Sequence, residues 1–154
     1  MATYLSAELS GVNATANQTS AATGYKPKAS VYNARLKRLR ATFTLGSTAV
    51  TTSDTLTIGN LPAGATFAYG VMTASATMGA SATLAIGTTG ATGKYRTAAT
   101  FTSADTPTLF GNTAAVGVAD PGLSAEETVF ITVAAASLPT AGTLVVDLYY
   151  SMPS

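Results

Sequence analysis

A chain of 154 residues is long enough for one domain with its own core, and its 8 basic and 7 acidic residues leave a formal net charge of +1. It contains no histidine, cysteine or tryptophan, so zinc, copper and iron sites lack their usual ligands and histidine-dependent nucleophile systems are excluded. The carboxylates are scattered except for Glu126 and Glu127, which on a strand would point to opposite faces, and the chain reads as a non-enzyme with no cofactor and no metal. Residues 1–34 are predicted to be an extended arm. Ser10 to Thr23 is small, polar and without a period of 2 or 3.6. Six of the eight basic residues follow between Gly24 and Arg40: Lys26, Lys28, Arg35, Lys37, Arg38 and Arg40. Residues 41–154 hold six of the seven acidic residues, so the small net charge conceals a cationic leader on an acidic body.

From residue 35 to 154 the signals are those of strands. Leu39, Ala41, Phe43 and Leu45 alternate with Arg40, Thr42 and Thr44, the period of a half-buried strand. Leu56 and Ile58 form a second alternation, ended by the predicted turn Gly59 to Gly64 around Pro62. Phe67, Tyr69 and Val71 are predicted to form the next inward face, and Ala82, Leu84 and Ile86 another, closed by a loop from Gly87 to Gly93. Thr97 to Phe101 and Thr108 to Phe110 are shorter candidates. After the Gly-rich stretch Gly111 to Ser124, with a turn at Asp120-Pro121-Gly122, come Val129, Ile131 and Val133. Leu144, Val146, Leu148 and Tyr150 then oppose Thr143, Val145, Asp147 and Tyr149 on the last strand. Short strands broken by regular turns predict an all-β fold, an antiparallel sandwich of jelly-roll type. Ala134 to Leu138 and Ser124 to Glu127 could each hold one helical turn at most.

Several motifs fall to plainer readings. Gly87 to Tyr95 resembles a phosphate loop but has five residues between its outer glycines and Tyr95 in place of Ser or Thr, so it is read as a hairpin loop. Asp54, Asp105 and Asp120 stand beside turn residues, where carboxylates cap turns. Asn13 and Asn17 begin glycosylation-type triplets, read as chance because Met1 to Ser10 lacks the features of a secretory signal. No apolar run approaches a membrane span. Arg35, Lys37, Arg38 and Arg40 admit three readings: a dock for an acidic protein surface, a solvated strand edge, or a nucleic-acid contact. The acidic body and the lack of a stacking array count against the last, and no nucleic-acid or membrane partner is expected. Tyr4, Tyr25 and Tyr32 lie outside the strand pattern and suit either an interface or packing onto the sandwich.

Three stretches carry a family likeness: RLKRLRATFTL (35–45), DTLTIGNLPAGATFAYGVMTASATMGASATLAIGT (54–88) and EETVFITVAAASLPTAGTLVVDLYYS (126–151). In these the chain resembles the head decoration, or cement, proteins of tailed double-stranded-DNA bacteriophages. The resemblance implies a jelly-roll-like sandwich, commonly trimeric, clamped on the outer capsid surface of the virion and assembled in the host bacterial cytoplasm. Its partner would be the major capsid protein, and it would act by bridging neighbouring capsid subunits. Lys26, Lys28, Arg35, Lys37, Arg38 and Arg40 are then the expected electrostatic contacts, with Tyr25 and Tyr32 as anchors. A carbohydrate- or receptor-binding sandwich of a tail or fibre, and a tail connector subunit, are the competing readings. The missing tryptophan and single glutamine thin the inventory for a sugar site.

Overall fold

The computed structural model describes residues 35–52, 54–111 and 122–152. Among the described residues there is no helix, and eight strands follow in order: β1 (Arg35–Leu45), β2 (Thr55–Leu61), β3 (Thr66–Ala74), β4 (Thr83–Thr88), β5 (Ala91–Thr100), β6 (Thr108–Phe110), β7 (Glu127–Ala134) and β8 (Gly142–Met152). They form two four-stranded antiparallel sheets, one ordered β1-β8-β3-β6 and the other β2-β7-β4-β5. The chain crosses between sheets at every connection except the β4–β5 hairpin, which is jelly-roll topology. The antiparallel pairings place the β1–β2, β3–β4, β5–β6 and β7–β8 loops at one end. The described chain enters at Arg35 and leaves at Met152 at the other.

The inner faces of the two sheets supply the core. Leu144, Val146 and Leu148 of β8 face Val129, Ile131 and Val133 of β7, all fully buried. Phe67 and Tyr95 meet ring to ring at 4.7 Å between them, a tilted aromatic pair. Apolar residues at every second position are what let each sheet bury one face and leave the other free. The predicted inward positions of β1, β4, β7 and β8 are those found.

A bulge overturns the prediction for β3, and a second one extends β2, whose Leu56 and Ile58 face the core as predicted, into the expected turn. Between Phe67 and Tyr69 the register against β8 slips by one residue, because Ala68 has no partner of its own. An extra residue reverses the side on which every later side chain points. Phe67 is therefore buried as expected, but Tyr69 and Val71 point outward and Met72 and Ala74 enter the core. The same event between Thr57 and Gly59 on β2 sends Leu61 into the core, fully buried, where a turn was expected. The turn itself is shorter, closed by the Ala65 N–H donating to the Pro62 carbonyl at 3.0 Å.

The expected loop from Gly87 to Gly93 is also mostly strand. β4 pairs with β5 down to Thr88 and Ala91, leaving Thr89 and Gly90 as the turn, with Gly90 at φ 81°. A two-residue hairpin needs such left-handed backbone, which glycine supplies without a steric penalty. β5 thus begins six residues before the predicted Thr97. Neither stretch that could have held a helical turn does so: Ala135 takes φ 66°, and Glu127 opens β7. Asp54 caps its turn as read, accepting hydrogen bonds from the Thr51 N–H at 2.7 Å and its hydroxyl at 2.8 Å. Asp105 sits in a turn at φ 53°, whereas Asp120 and the turn at Asp120-Pro121 lie outside the described residues.

Candidate functional site

Among the described residues β1 is an edge strand of its sheet, paired only with β8. Its cationic half therefore lies along a margin of the described sheet. Alternation divides the four cations. Arg38 and Arg40 project from the outer face, whereas Arg35 and Lys37 share the side of Leu39, exposed at the strand's start. The four were expected as one contact set, and the strand separates them into two pairs. Lys26, Lys28, Tyr25, Tyr32 and Tyr4 lie outside the described residues.

Cross-strand register shows what surrounds the outward pair. Arg40 stands opposite Asp147 on β8, Asp147 opposite Val71 on β3, and Val71 opposite Leu109 on β6. One rung towards the Arg35 end, Arg38 stands opposite Tyr149, and Tyr149 opposite Tyr69. The next outward rung joins Leu36, Ser151 and Thr66. The two tyrosine rings stack at 4.8 Å with 23° between their planes, close enough for aromatic attraction beyond simple burial.

Asp147 anchors this face. Arg40 donates to both its carboxylate oxygens, Nε to Oδ1 and Nη2 to Oδ2, each at 2.7 Å, and Arg38 approaches at 3.9 Å. This two-point geometry is the strong form of a charge-assisted hydrogen bond. The Arg40 hydrogen bonds hold the carboxyl below its ordinary value, opposed by desolvation and helped by the charges of Arg40 and Arg38. Asp147 is 6% exposed although it points away from the core. Its neighbours shield it, so Arg40 is committed to the protein's own sheet and Arg38 is the freer cation.

The three large apolar side chains that stand exposed among the described residues, Leu36 at 51%, Tyr69 at 37% and Leu109 at 71%, all belong to this outer face. The outer face of the second sheet differs: Thr55 and Thr57 of β2 and Thr128 of β7 are its exposed residues near Phe130. Contiguous exposed apolar area bordered by charge is the usual mark of an interaction surface. Sequence reading missed Tyr69, Val71 and Leu109, the first two because the β3 bulge was not anticipated. A usable signal was present in Met72 and Ala74, which alternate in register with the true core.

A second charged group joins strands of the other sheet. Lys94 donates to both oxygens of Glu127 at 2.5 and 2.8 Å, and the Tyr95 hydroxyl donates to Oε2 at 2.8 Å. Burial, and then the Glu127 carboxylate, push the Tyr95 phenol far above its ordinary value. A phenol so held has no acid–base use near neutrality, and the group ties β5 to β7. Glu126 accepts from the Asn60 side chain at 2.8 Å instead. Among the described residues no group of three potential metal-binding side chains occurs, and no helix is long and apolar enough to cross a membrane.

No protein-family model matches the chain, and no curated protein matches it in sequence. Solved structures match in fold. A chain of the cyanophage Pam1 capsid asymmetric unit superposes with TM-score 0.60 and 23% identity, covering 90% of this chain and 96% of that one. A chain from the capsid of Ralstonia phage GP4 gives 0.59 and 19%, covering 78% and 86%. One from the acidic stable capsid of Helicobacter pylori bacteriophage KHP30 gives 0.56 and 13%, covering 77% and 89%. At these identities the likeness establishes a shared jelly-roll fold.

Proposed function

We propose that this chain is a structural protein of a bacteriophage virion, a decoration protein that binds the outer capsid shell and stabilises it. The observation that carries the reading is a fold shared, at TM-score 0.60, with a chain of a phage capsid asymmetric unit over 90% of this chain and 96% of the other. Fold alone is compatible with many activities. Support for a binding role comes from the chain's own chemistry: no histidine or cysteine, and one sheet face carrying exposed Leu36, Tyr69 and Leu109 beside Arg38.

The mechanism is bridging. A body seated across two or more copies of the major capsid protein buries area on each, and that area must be exposed again before the subunits can separate under the pressure of packaged DNA. Arg35, Lys37 and Arg38 of β1, with Lys26 and Lys28 before it and Tyr25 and Tyr32 as anchors, form the contact set, and Arg40 orders the face by holding Asp147. A trimer would multiply the contacts per bound unit, raising avidity without any new contact type. The protein acts on the outer surface of particles assembled in the bacterial cytoplasm.

The test is addition of purified protein to capsids that lack it, followed by sedimentation and particle reconstruction. Saturable density on the outer shell is expected. Absence of co-sedimentation, or catalytic turnover or specific glycan binding by the isolated protein, would overturn the reading.

A further inference from the structure

We infer that the outer face of the β1-β8-β3-β6 sheet is the surface that meets the shell, and that it takes an acidic protein surface bearing apolar side chains. This deepens the capsid-binding reading and rests on it. Apolar exposure selects the face: Leu36, Tyr69 and Leu109 stand out from it, whereas threonines dominate the exposed positions on the opposite sheet. A partner must therefore supply apolar groups to cover the Tyr69–Tyr149 stack and Leu109.

Charge selects the partner's sign. On the outer face of β1 and β8, Arg38 and Arg40 stand against the one carboxylate Asp147, which Arg40 already binds at two points, and Arg35 and Lys37 lie on the other side of the same edge strand. Among the described residues no ion pair engages Arg35 or Lys37, and Arg38 reaches Asp147 only at 3.9 Å. The excess is cationic, so carboxylates are the complementary partners. A second copy laid face to face about a two-fold axis that crosses the strands near Arg38 would set this arginine against its equivalent. Like charges then oppose the association, and the same feature that favours an acidic partner disfavours self-stacking.

The experiment compares full-length variants for binding to undecorated capsids, with circular dichroism and thermal melts to confirm folding. The uncharged pair Tyr69→Ser with Leu109→Ser removes apolar cover. Arg38→Gln and Arg38→Glu remove and reverse the freer cation. Thr57→Asp with Thr128→Asp marks the opposite sheet as a control. Occupancy should fall about tenfold for the apolar pair, fall further for Arg38→Glu than for Arg38→Gln, and hold for the control. Failure of the wild-type protein to bind would remove the capsid reading and this inference together. Normal wild-type binding with unchanged binding by the apolar pair, or an equal loss for the control, would overturn the face alone. If light scattering instead shows the apolar pair dissociating a self-assembled oligomer, the face belongs to a second copy and the assignment of an acidic partner is wrong.

Discussion

Asp147 is an acidic side chain on the outside of a sheet that nevertheless is almost wholly covered, and its consequences are visible in pH. Its folded pKa lies below the ordinary 3.8 because Arg40 donates two hydrogen bonds to it. A depressed carboxyl adds stability above the unfolded value and loses it as pH falls through the folded one. Between about pH 6 and about pH 3 the wild-type protein should therefore lose more urea stability than Asp147→Asn, whose amide does not titrate. Asp54 is depressed too, by Thr51, but that contribution is common to both proteins and cancels in the comparison. A constant gap between the two midpoints at both pH values would show that the pairing adds no pH-dependent stability. Tyr95 supplies the second residue-scale case. Tyr95→Phe deletes a buried hydroxyl while leaving Glu127 bound by Lys94, so the loss should stay at about 1 kcal/mol in a denaturant titration. A loss of several kcal/mol would mean that the Lys94–Glu127 pair collapses with it.

At the scale of elements, glycines and bulges decide what alternation cannot. Gly87 in β4 lies so close to the β5 backbone that an added Cβ would stand 2.1 Å from the Ala91 carbonyl oxygen and 2.5 Å from the Thr92 carbonyl carbon. Backbone cannot rotate away as a side chain can, so Gly87→Ala should cost about 3 kcal/mol or break the hairpin pairing. A denaturant midpoint within error of wild type would show that the hairpin shifts freely. Gly46, with nothing within 4 Å of such a Cβ, is the matched control. The same local events mark how far sequence reading reached. Strict alternation in β1, β7 and β8 fixed which residues face the core, because nothing interrupts the period of 2 there. Ala68 and the Thr57–Gly59 step each break that period, and neither bulged residue is marked by its type, although Met72 and Ala74 carry the shifted phase after the first. Sheet order was not deducible beyond its class, since the β1–β8 pairing joins opposite ends of the described chain. For the candidate site, the cations of β1 were legible as a charge run, but their division between two sides and the bond of Arg40 to Asp147 required the register.

For the whole molecule, two kinds of force act on a bound partner over different ranges, and kinetics can separate them. The cationic excess of β1 acts through solvent over roughly one Debye length, about 10 Å at 0.1 M salt and about 3 Å at 1 M. It can steer an approaching acidic surface but is screened once salt rises. The apolar rungs at Leu36, Tyr69 and Leu109 act only at contact and are indifferent to modest ionic strength. Raising salt from about 0.05 to about 0.5 M should therefore slow association with capsids by about tenfold while changing dissociation by no more than about threefold. Surface plasmon resonance on immobilised particles measures both rates in one experiment. If dissociation accelerates in proportion while association holds steady, the bound state is maintained by exposed ion pairs instead of apolar contact. Arg38, Arg35 and Lys37 would then carry the residence time, and the tyrosine stack would serve only to brace β3 against β8.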